Sequence, residues 1–82
     1  MELVWDEPKR AQNIAKHGFD FARLDEDFLL NASVAPAKRG RFSAIGSFEG
    51  YVIIAVIFQP LGTEALAIIS MRKASRKERA TL

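Results

Sequence analysis

The longest apolar run in the chain, residues 51–58, is the feature that most constrains the fold. Its sequence, YVIIAVIF, is rich in β-branched residues and is typical of a buried strand. Glu49-Gly50 precedes it as a two-residue turn of the Asp-Gly kind, and residues 42–48 are apolar enough to form the partner strand. The run is also far shorter than the roughly 20 residues that cross a bilayer. The pattern predicts a β-hairpin and no membrane-spanning segment.

Further strands and a terminal helix are expected to extend this hairpin. Residues 59–63 contain Pro60 and Gly62 and predict a turn, after which residues 65–71 predict a third strand. Residues 32–35 predict a short edge strand or an extended loop, and a basic helix should begin near Ala74. The three main strands are therefore expected to form an antiparallel meander.

Two helices are predicted before the sheet. The first begins after Asp6, which can cap the free amides, and ends at His17, because Gly18 supplies the left-handed residue that stops a helix. Asp20 should cap the second helix, which ends near Leu30. The predicted buried stripes are Ala11, Ile14 and Ala15 in the first helix and Phe21, Leu24 and Phe28 in the second, and the polar face of the first carries Lys9, Asn13 and either Lys16 or His17. The fold class is interpreted as α+β, with two N-terminal helices packed on an antiparallel sheet and a short C-terminal basic helix.

Size and cysteine content limit the class of protein. A chain of 82 residues buries only about 60% of the surface that its unfolded form exposes, so residues 1–82 are expected to form a single domain that is stabilised by a partner or by self-association. The absence of cysteine excludes disulfides, thiolate metal sites and cysteine nucleophiles. No signal-peptide pattern is present, and a cytoplasmic location is predicted.

The charge is unevenly distributed along the chain. Residues 1–30 contain four Lys and Arg against seven Asp and Glu, a net charge of −3, whereas residues 31–82 contain eight against three, a net charge of +5. The basic excess lies in two clusters, residues 38–41 and residues 72–79. Such an asymmetry indicates a surface that faces a polyanion such as nucleic acid, although a solvated face gives the same pattern.

Few side chains could carry chemistry. His17 is the only histidine, and a histidine in the last turn of a helix is often there only to satisfy the helix dipole. One histidine and scattered carboxylates give no metal-ligand spacing, and neither a nucleophile-elbow motif nor a phosphate-binding loop is present. Near the C-terminus, Ser75 and Glu78 have the spacing of a capping box, while Arg72 and Arg79 suit bidentate phosphate contacts.

Two motifs resemble those of a known family. The stretch VWDEPK at residues 4–9 with NIAKHG at residues 13–18, and the stretch IISMRKA at residues 68–74 with Glu78, are similar to the BrnT toxins of bacterial type II toxin–antitoxin pairs. The resemblance covers nearly the whole chain. It implies a RelE-like fold and a ribonuclease that inhibits translation and growth. It also implies a ribbon-helix-helix antitoxin through which the pair binds operator DNA. An RNA substrate, no cofactor and a hetero-tetramer with the antitoxin follow from the same resemblance.

On this resemblance we expect a metal-independent ribonuclease. Such a site needs a base for the 2′-hydroxyl, cations for the phosphorane and an acid for the departing 5′-oxygen. The predicted catalytic residues are His17, Arg72, Glu78 and Arg79. The predicted RNA- and phosphate-binding residues are Lys9, Lys16, Arg41 and Arg76. Glu78 is the alternative to His17 as the base.

Two departures from the family pattern keep a second hypothesis open. Family members commonly carry an acidic residue in the basic segment where this chain has KRGR at residues 38–41, and they commonly end with a tyrosine shortly after the glutamate, whereas Tyr51 is the only tyrosine here. The alternative is a non-catalytic toxin homologue that acts as an antitoxin- or nucleic-acid-binding subunit. An independent DNA-binding regulator is disfavoured, because no helix-turn-helix pair is predicted.

Overall fold

The computed structural model describes all of residues 1–82, and its central feature is a mixed five-stranded sheet with the order β1-β5-β4-β3-β2. The strands are β1 Glu2–Val4, β2 Ser33–Pro36, β3 Phe42–Phe48, β4 Val52–Leu61 and β5 Ala65–Lys73. The α-helices are α1 Glu7–His17, α2 Glu26–Asn31 and α3 Arg76–Arg79, and two 3-10 turns span Phe21–Arg23 and Lys38–Gly40. No helix has the length and apolar content that a membrane span requires.

The predicted fold class is wrong in two respects. The sheet is mixed rather than antiparallel, because β1 pairs in parallel with β5, with Leu3 opposite Leu66. The predicted second helix is broken into a 3-10 turn and the six-residue α2. Asp20 accepts a hydrogen bond from the Ala22 N–H at 2.9 Å, and Asp25, in extended conformation, accepts one from the Phe28 N–H at 2.9 Å. Two capping aspartates therefore start two short helical turns instead of one helix.

The predicted β3–β4 hairpin is confirmed, with differences at both ends of β4. Pairing closes at Phe48 and Val52, so the connection has three residues rather than two. β4 then continues through Pro60, where a turn was predicted, and pairs with β5 as far as Leu61. Because β3 pairs with β4 only as far as Phe58, Pro60 lies where β4 has no β3 neighbour and its missing N–H costs no bond there.

One hydrophobic cluster joins the helical turns to one face of the sheet. The predicted apolar residues of the second helical segment are all buried, and they pack with strand residues; the cluster is Phe21, Leu24, Phe28, Ala44, Phe48, Ile54, Val56, Phe58, Ile68 and Met71. α2 approaches β3 closely at Gly46, where an added Cβ would lie 3.2 Å from the Phe28 ring. The absence of a side chain at Gly46 therefore allows α2 to pack on the sheet.

The orientation predicted for α1 is wrong, because its polar side faces the sheet. Ala11, Ile14 and Ala15 are exposed, whereas the Asn13 residue is only 5% exposed. The Asn13 amide donates to the Met71 carbonyl at 2.8 Å, and its oxygen accepts from the Met71 N–H at 3.1 Å. β1 pairs with β5 only as far as Ala67, so Asn13 supplies the hydrogen bonds of a missing neighbouring strand. An unpaired strand edge requires polar rather than apolar contacts.

The predicted start and end of α1 and the predicted start of the last helix are confirmed. Gly18 follows α1 with a φ of 79° and donates its N–H to the Ile14 carbonyl. Asp6 is the N-cap residue, but its side chain makes no capping hydrogen bond. α3 begins with the expected capping box, in which Ser75 and Glu78 each accept a hydrogen bond from the other's backbone N–H.

Candidate functional site

The candidate site lies on the face of the sheet opposite the hydrophobic cluster. Side chains alternate along a strand, so Ser70 and Arg72 point away from the face that carries the buried Met71. α3 lies over the same face, because its Glu78 binds the Arg72 guanidinium. Arg72 stands in register with the buried Ala55 of β4.

A polar cleft of about 230 Å³ separates α1 from β5 on this face. Its lining residues are Lys9, Gln12, Asn13, Lys16, His17, Ile69 and Ser70. Residues three, four or seven apart share one side of a helix, which explains why the α1 side chains converge here. The Asn13 bonds to Met71 fix α1 beside β5, so Lys16 and His17 are held over the strand.

Two further clefts adjoin the first. A cleft of about 430 Å³ is lined by Lys9, Arg41, Gln59 and Ile69 among others, and a third, of about 350 Å³, by Lys38, Arg39 and Arg41 among others. Lys9 lines the first and second clefts, and Arg41 lines the second and third. The three clefts therefore form one continuous surface, the basic groove, which carries Lys9, Lys16, His17, Lys38, Arg39 and Arg41.

The cations of the basic groove have no carboxylate partner, in contrast to three other arginines of the chain. Arg10, Arg23 and Arg72 form ion pairs with Asp20, Glu49 and Glu78, whereas none of the basic groove's side chains forms an ion pair. The Nε atom of Arg41 is also buried without a hydrogen-bond partner. A buried donor without an acceptor costs about 1–3 kcal/mol.

Arg72 and Glu78 form a tightly organised pair beside the basic groove. The guanidinium donates two hydrogen bonds to the carboxylate, at 2.7 and 3.0 Å, and the Ser75 N–H adds a third at 2.8 Å. These bonds, chiefly those from Arg72, lower the pKa of Glu78 to about 2, and the same pairing raises the pKa of Arg72. Glu78 is therefore a carboxylate at neutral pH, engaged in holding Arg72 in place.

The remaining predicted residues of α3 lie elsewhere. Arg79 lines a separate groove of about 520 Å³ at the end of the sheet, which we call the aromatic groove; its residues are Phe19, Tyr51, Val52, Ile53, Lys73, Ala74 and Arg79. Arg76 is exposed and lines none of the three clefts of the basic groove. The structure thus places Lys9, Lys16, His17 and Arg41 on the basic groove, but does not bring Arg72, Arg76, Glu78 or Arg79 into it.

Sequence reasoning missed Gln12 and Ser70 as lining residues of the first cleft. Gln12 lies three positions from Lys9, so helical spacing was a usable signal for it. Ser70 carried no such signal, because its place depends on how α1 docks on β5. No group of three or more His, Asp or Glu side chains that could hold a metal ion occurs in the structure.

Comparisons with known proteins identify the family of the chain. Residues 5–78 match the family model described as the ribonuclease toxin, BrnT, of type II toxin–antitoxin systems. The 1.1 Å crystal structure of the Brucella abortus ribonuclease toxin, BrnT, is similar with a TM-score of 0.88 and 60% sequence identity, over 93% of this chain and 99% of that chain. Among curated proteins, none matches this sequence. The chain therefore belongs to the BrnT family of ribonuclease toxins of type II toxin–antitoxin systems, in which an antitoxin is the partner.

Proposed function

We propose that this chain is a metal-independent endoribonuclease that cleaves RNA in the basic groove. The observation that carries the proposal is the continuity of three clefts through Lys9 and Arg41, with a histidine in the first cleft and no carboxylate partner for any of the groove's cations. Unpaired cations along a groove suit the successive phosphates of a single strand. Membership of a ribonuclease toxin family supports the same substrate.

The proposed reaction uses groups that the chain supplies itself. His17 takes the proton of a ribose 2′-hydroxyl, the 2′-oxygen attacks the adjacent phosphorus, and the bond from phosphorus to the 5′-oxygen breaks. The proton is returned to that 5′-oxygen, which leaves one 2′,3′-cyclic phosphate end and one 5′-hydroxyl end. Lys16 and Arg41 stabilise the charge of the phosphorane, and Lys9 holds a flanking phosphate. Histidine suits both proton transfers because it can exchange a proton near neutral pH.

The Arg72–Glu78 pair has a supporting role in this proposal. Arg72 points to the same sheet face as Ser70, which lines the cleft of His17, and its positive charge is held on that face by the two hydrogen bonds that it donates to Glu78. Glu78 orients Arg72, and its low pKa makes it a weak base at neutral pH. We therefore assign the proton transfers to His17. Arg76 and Arg79, on α3, contribute to RNA binding rather than to the reaction.

The type of end left on the RNA tests the reaction. Purified chain freed of antitoxin should cleave a short RNA in the presence of EDTA and leave 2′,3′-cyclic phosphate ends, which phosphatase treatment and mass spectrometry identify. The same RNA with a 2′-deoxy sugar at the cleaved position should remain intact, because the nucleophile is missing. Cleavage that requires added Mg²⁺, or that leaves 5′-phosphate ends, would exclude this mechanism.

A second candidate function is that of a non-catalytic binding subunit. The observation that favours it is the position of Tyr51, the only tyrosine, which lines the aromatic groove and not the basic groove. If relatives use their C-terminal tyrosine in the reaction, that role is vacant at the basic groove. Tight antitoxin or nucleic-acid binding by a chain that cleaves no RNA at any position would support this second function.

We further propose a single domain over residues 1–82, a cytoplasmic location and inhibition of translation and growth through RNA cleavage. The proposed antitoxin is of the ribbon-helix-helix type, and two copies of each chain form a hetero-tetramer that binds operator DNA through the antitoxin alone. Inducible expression with and without the neighbouring open reading frame tests the inhibition of growth, because co-expression of the neighbour should relieve the growth arrest. Native mass spectrometry of the co-expressed complex should give the mass of a 2:2 assembly.

A further inference from the structure

The aromatic groove combines aromatic and cationic side chains, the two kinds that proteins generally use to bind single-stranded nucleic acid. The Tyr51 residue is 79% exposed, and the Phe19 ring is held edge-on against Phe48 with the ring centroids 6.1 Å apart. Lys73 and Arg79 are exposed and belong to none of the ion pairs of the structure. Every nucleobase has a π-face that stacks on an aromatic ring, and the adjacent phosphates bind cations.

The turn that carries Tyr51 is held in place. Glu49 has a φ of 53°, in the left-handed region that is unfavourable for a residue with a side chain, and Gly50 follows with a φ of 79°. The Arg23 Nε donates to the Glu49 carboxylate at 2.6 Å and ties the turn to the 3-10 turn before α2. A tyrosine on an anchored turn loses little conformational entropy when a ligand binds, so it is well suited to recognition.

The aromatic groove and the proposed reaction site are lined by residues that are close together in the sequence. Phe19, which lines the aromatic groove, follows His17, which lines the basic groove, by two residues. Their Cα atoms therefore lie within about 7 Å of each other, because consecutive Cα atoms are 3.8 Å apart. If the scissile phosphate contacts His17, this short distance allows a nucleotide close to the cleaved bond to reach the aromatic groove.

We propose that the aromatic groove is a nucleobase-binding subsite, in which a base flanking the scissile phosphate stacks on Tyr51 and Phe19 while Lys73 and Arg79 bind its phosphate. This inference rests on the proposed ribonuclease function and deepens it, because the subsite selects the RNA at a position next to the cleaved bond. Two unpaired cations beside the exposed Tyr51 ring and the half-buried Phe19 ring favour RNA over an antitoxin segment as the occupant. Stacking is sequence-tolerant, so the subsite contributes affinity with a modest base preference.

Equilibrium binding of a labelled, non-cleavable RNA measures the subsite independently of catalysis. The RNA carries a 2′-deoxy sugar at the cleaved position. In two matched versions, an abasic nucleotide replaces the nucleotide on the 5′ side or on the 3′ side of the scissile phosphate. Wild type should bind one abasic version roughly 5- to 150-fold more weakly than the full RNA, which is the loss expected from one stacked base. Tyr51→Ala should bind the full RNA and that abasic version equally, whereas Tyr51→Phe should keep the wild-type ratio. Lys77→Ala, a charge change on α3 outside the groove, is the control for Arg79→Ala.

The outcomes separate this proposal from the proposed function. Wild-type ratios in Tyr51→Ala for both abasic versions would overturn the subsite and leave the ribonuclease proposal standing. Binding that responds to Tyr51→Ala as expected, in a chain that cleaves no RNA, would support the subsite and overturn the catalytic proposal. Unchanged RNA affinity combined with weaker antitoxin binding in Tyr51→Ala would also overturn the subsite, because it would assign the groove to the antitoxin.

Discussion

At the scale of single residues, Asn13 explains both the docking of α1 and the error in its predicted orientation. Helical spacing correctly placed Asn13 with Lys9 and Lys16 on a polar face, but the stripe of Ala11, Ile14 and Ala15 was expected to be the buried one. The partner of its side chain is the backbone of Met71, 58 positions away, and no local pattern contains that information. The cations and histidine of the site could be predicted from spacing and motif, whereas the group that positions them could not.

Asn13→Ala should lower the free energy of unfolding by about 2–3 kcal/mol, because the buried Met71 N–H and carbonyl lose their partner. Urea denaturation measures this loss. The matched control is Gln12→Ala, in which an exposed amide next to Asn13 is removed and the change should stay within about 0.5 kcal/mol. Equal effects for the two substitutions would show that the Asn13 bonds do not hold α1 on the sheet.

The pairing of Glu78 with Arg72 should make stability depend on pH in the acidic range. Pairing lowers the pKa of Glu78 from an ordinary value of 4.5 to about 2, so its stabilisation is complete above pH 4.5 and is lost as the pH falls toward 2. After solvent screening, we expect Glu78→Gln to be about 1 kcal/mol less stable than wild type at pH 7. Urea titrations at several pH values should show this difference shrinking below pH 4.5. A difference that stays constant from pH 7 to pH 3 would contradict the pairing.

At the scale of elements, the strands rich in β-branched residues were predictable, and the short elements were not. β3 has its predicted limits, whereas β1 has only three residues and gains its hydrogen bonds from β5, more than 60 positions later in the chain. The second helix was expected to be continuous because its apolar residues have helical spacing. The capping aspartates Asp20 and Asp25 outweigh that spacing by satisfying backbone N–H groups at two separate starts.

Gly46→Ala should destabilise the fold by about 1 kcal/mol, because its Cβ would lie 3.2 Å from the Phe28 ring, which packs edge-on against Phe48. Thermal unfolding measures the effect. In a Phe28→Leu background the same substitution should cost less, since the smaller side chain leaves room, while Ser47→Ala on the exposed side of β3 should be nearly neutral. An additive double mutant would argue against close packing of α2 on β3 at this glycine.

At the scale of the whole molecule, an overall charge of +2 conceals a division between paired and unpaired cations. The charge pattern predicted a polyanion-facing surface and identified residues 38–41 as part of it, and the structure places Arg39 and Arg41 on the basic groove. The residues of the second basic cluster lie in different places in the structure, since Arg72 is paired with Glu78 whereas Arg79 lines the aromatic groove. That division depends on where α3 packs beside the sheet, which sequence spacing alone did not indicate.

The basic groove should give RNA binding a steep salt dependence. Each phosphate contact contributes a slope of about −0.7 to the plot of log affinity against log salt concentration for a single strand. Arg41→Ala should therefore weaken binding and reduce the slope by about 0.7, while Lys77→Ala, outside the groove, should leave the slope unchanged. Fluorescence anisotropy at several salt concentrations measures both. Equal slopes for wild type and Arg41→Ala would show that Arg41 does not contact an RNA phosphate.

The single-turnover rate of RNA cleavage by the purified, antitoxin-free chain in EDTA tests the central claim most directly. Wild type should cleave a short RNA, and Lys77→Ala should do so at a similar rate. His17→Ala, with an unchanged circular dichroism spectrum and melting temperature, should be slower by a factor of about 100 to 10,000, which is the usual contribution of a general acid–base group. Cleavage by His17→Ala at the wild-type rate would contradict the account and place the reaction outside the cleft between α1 and β5.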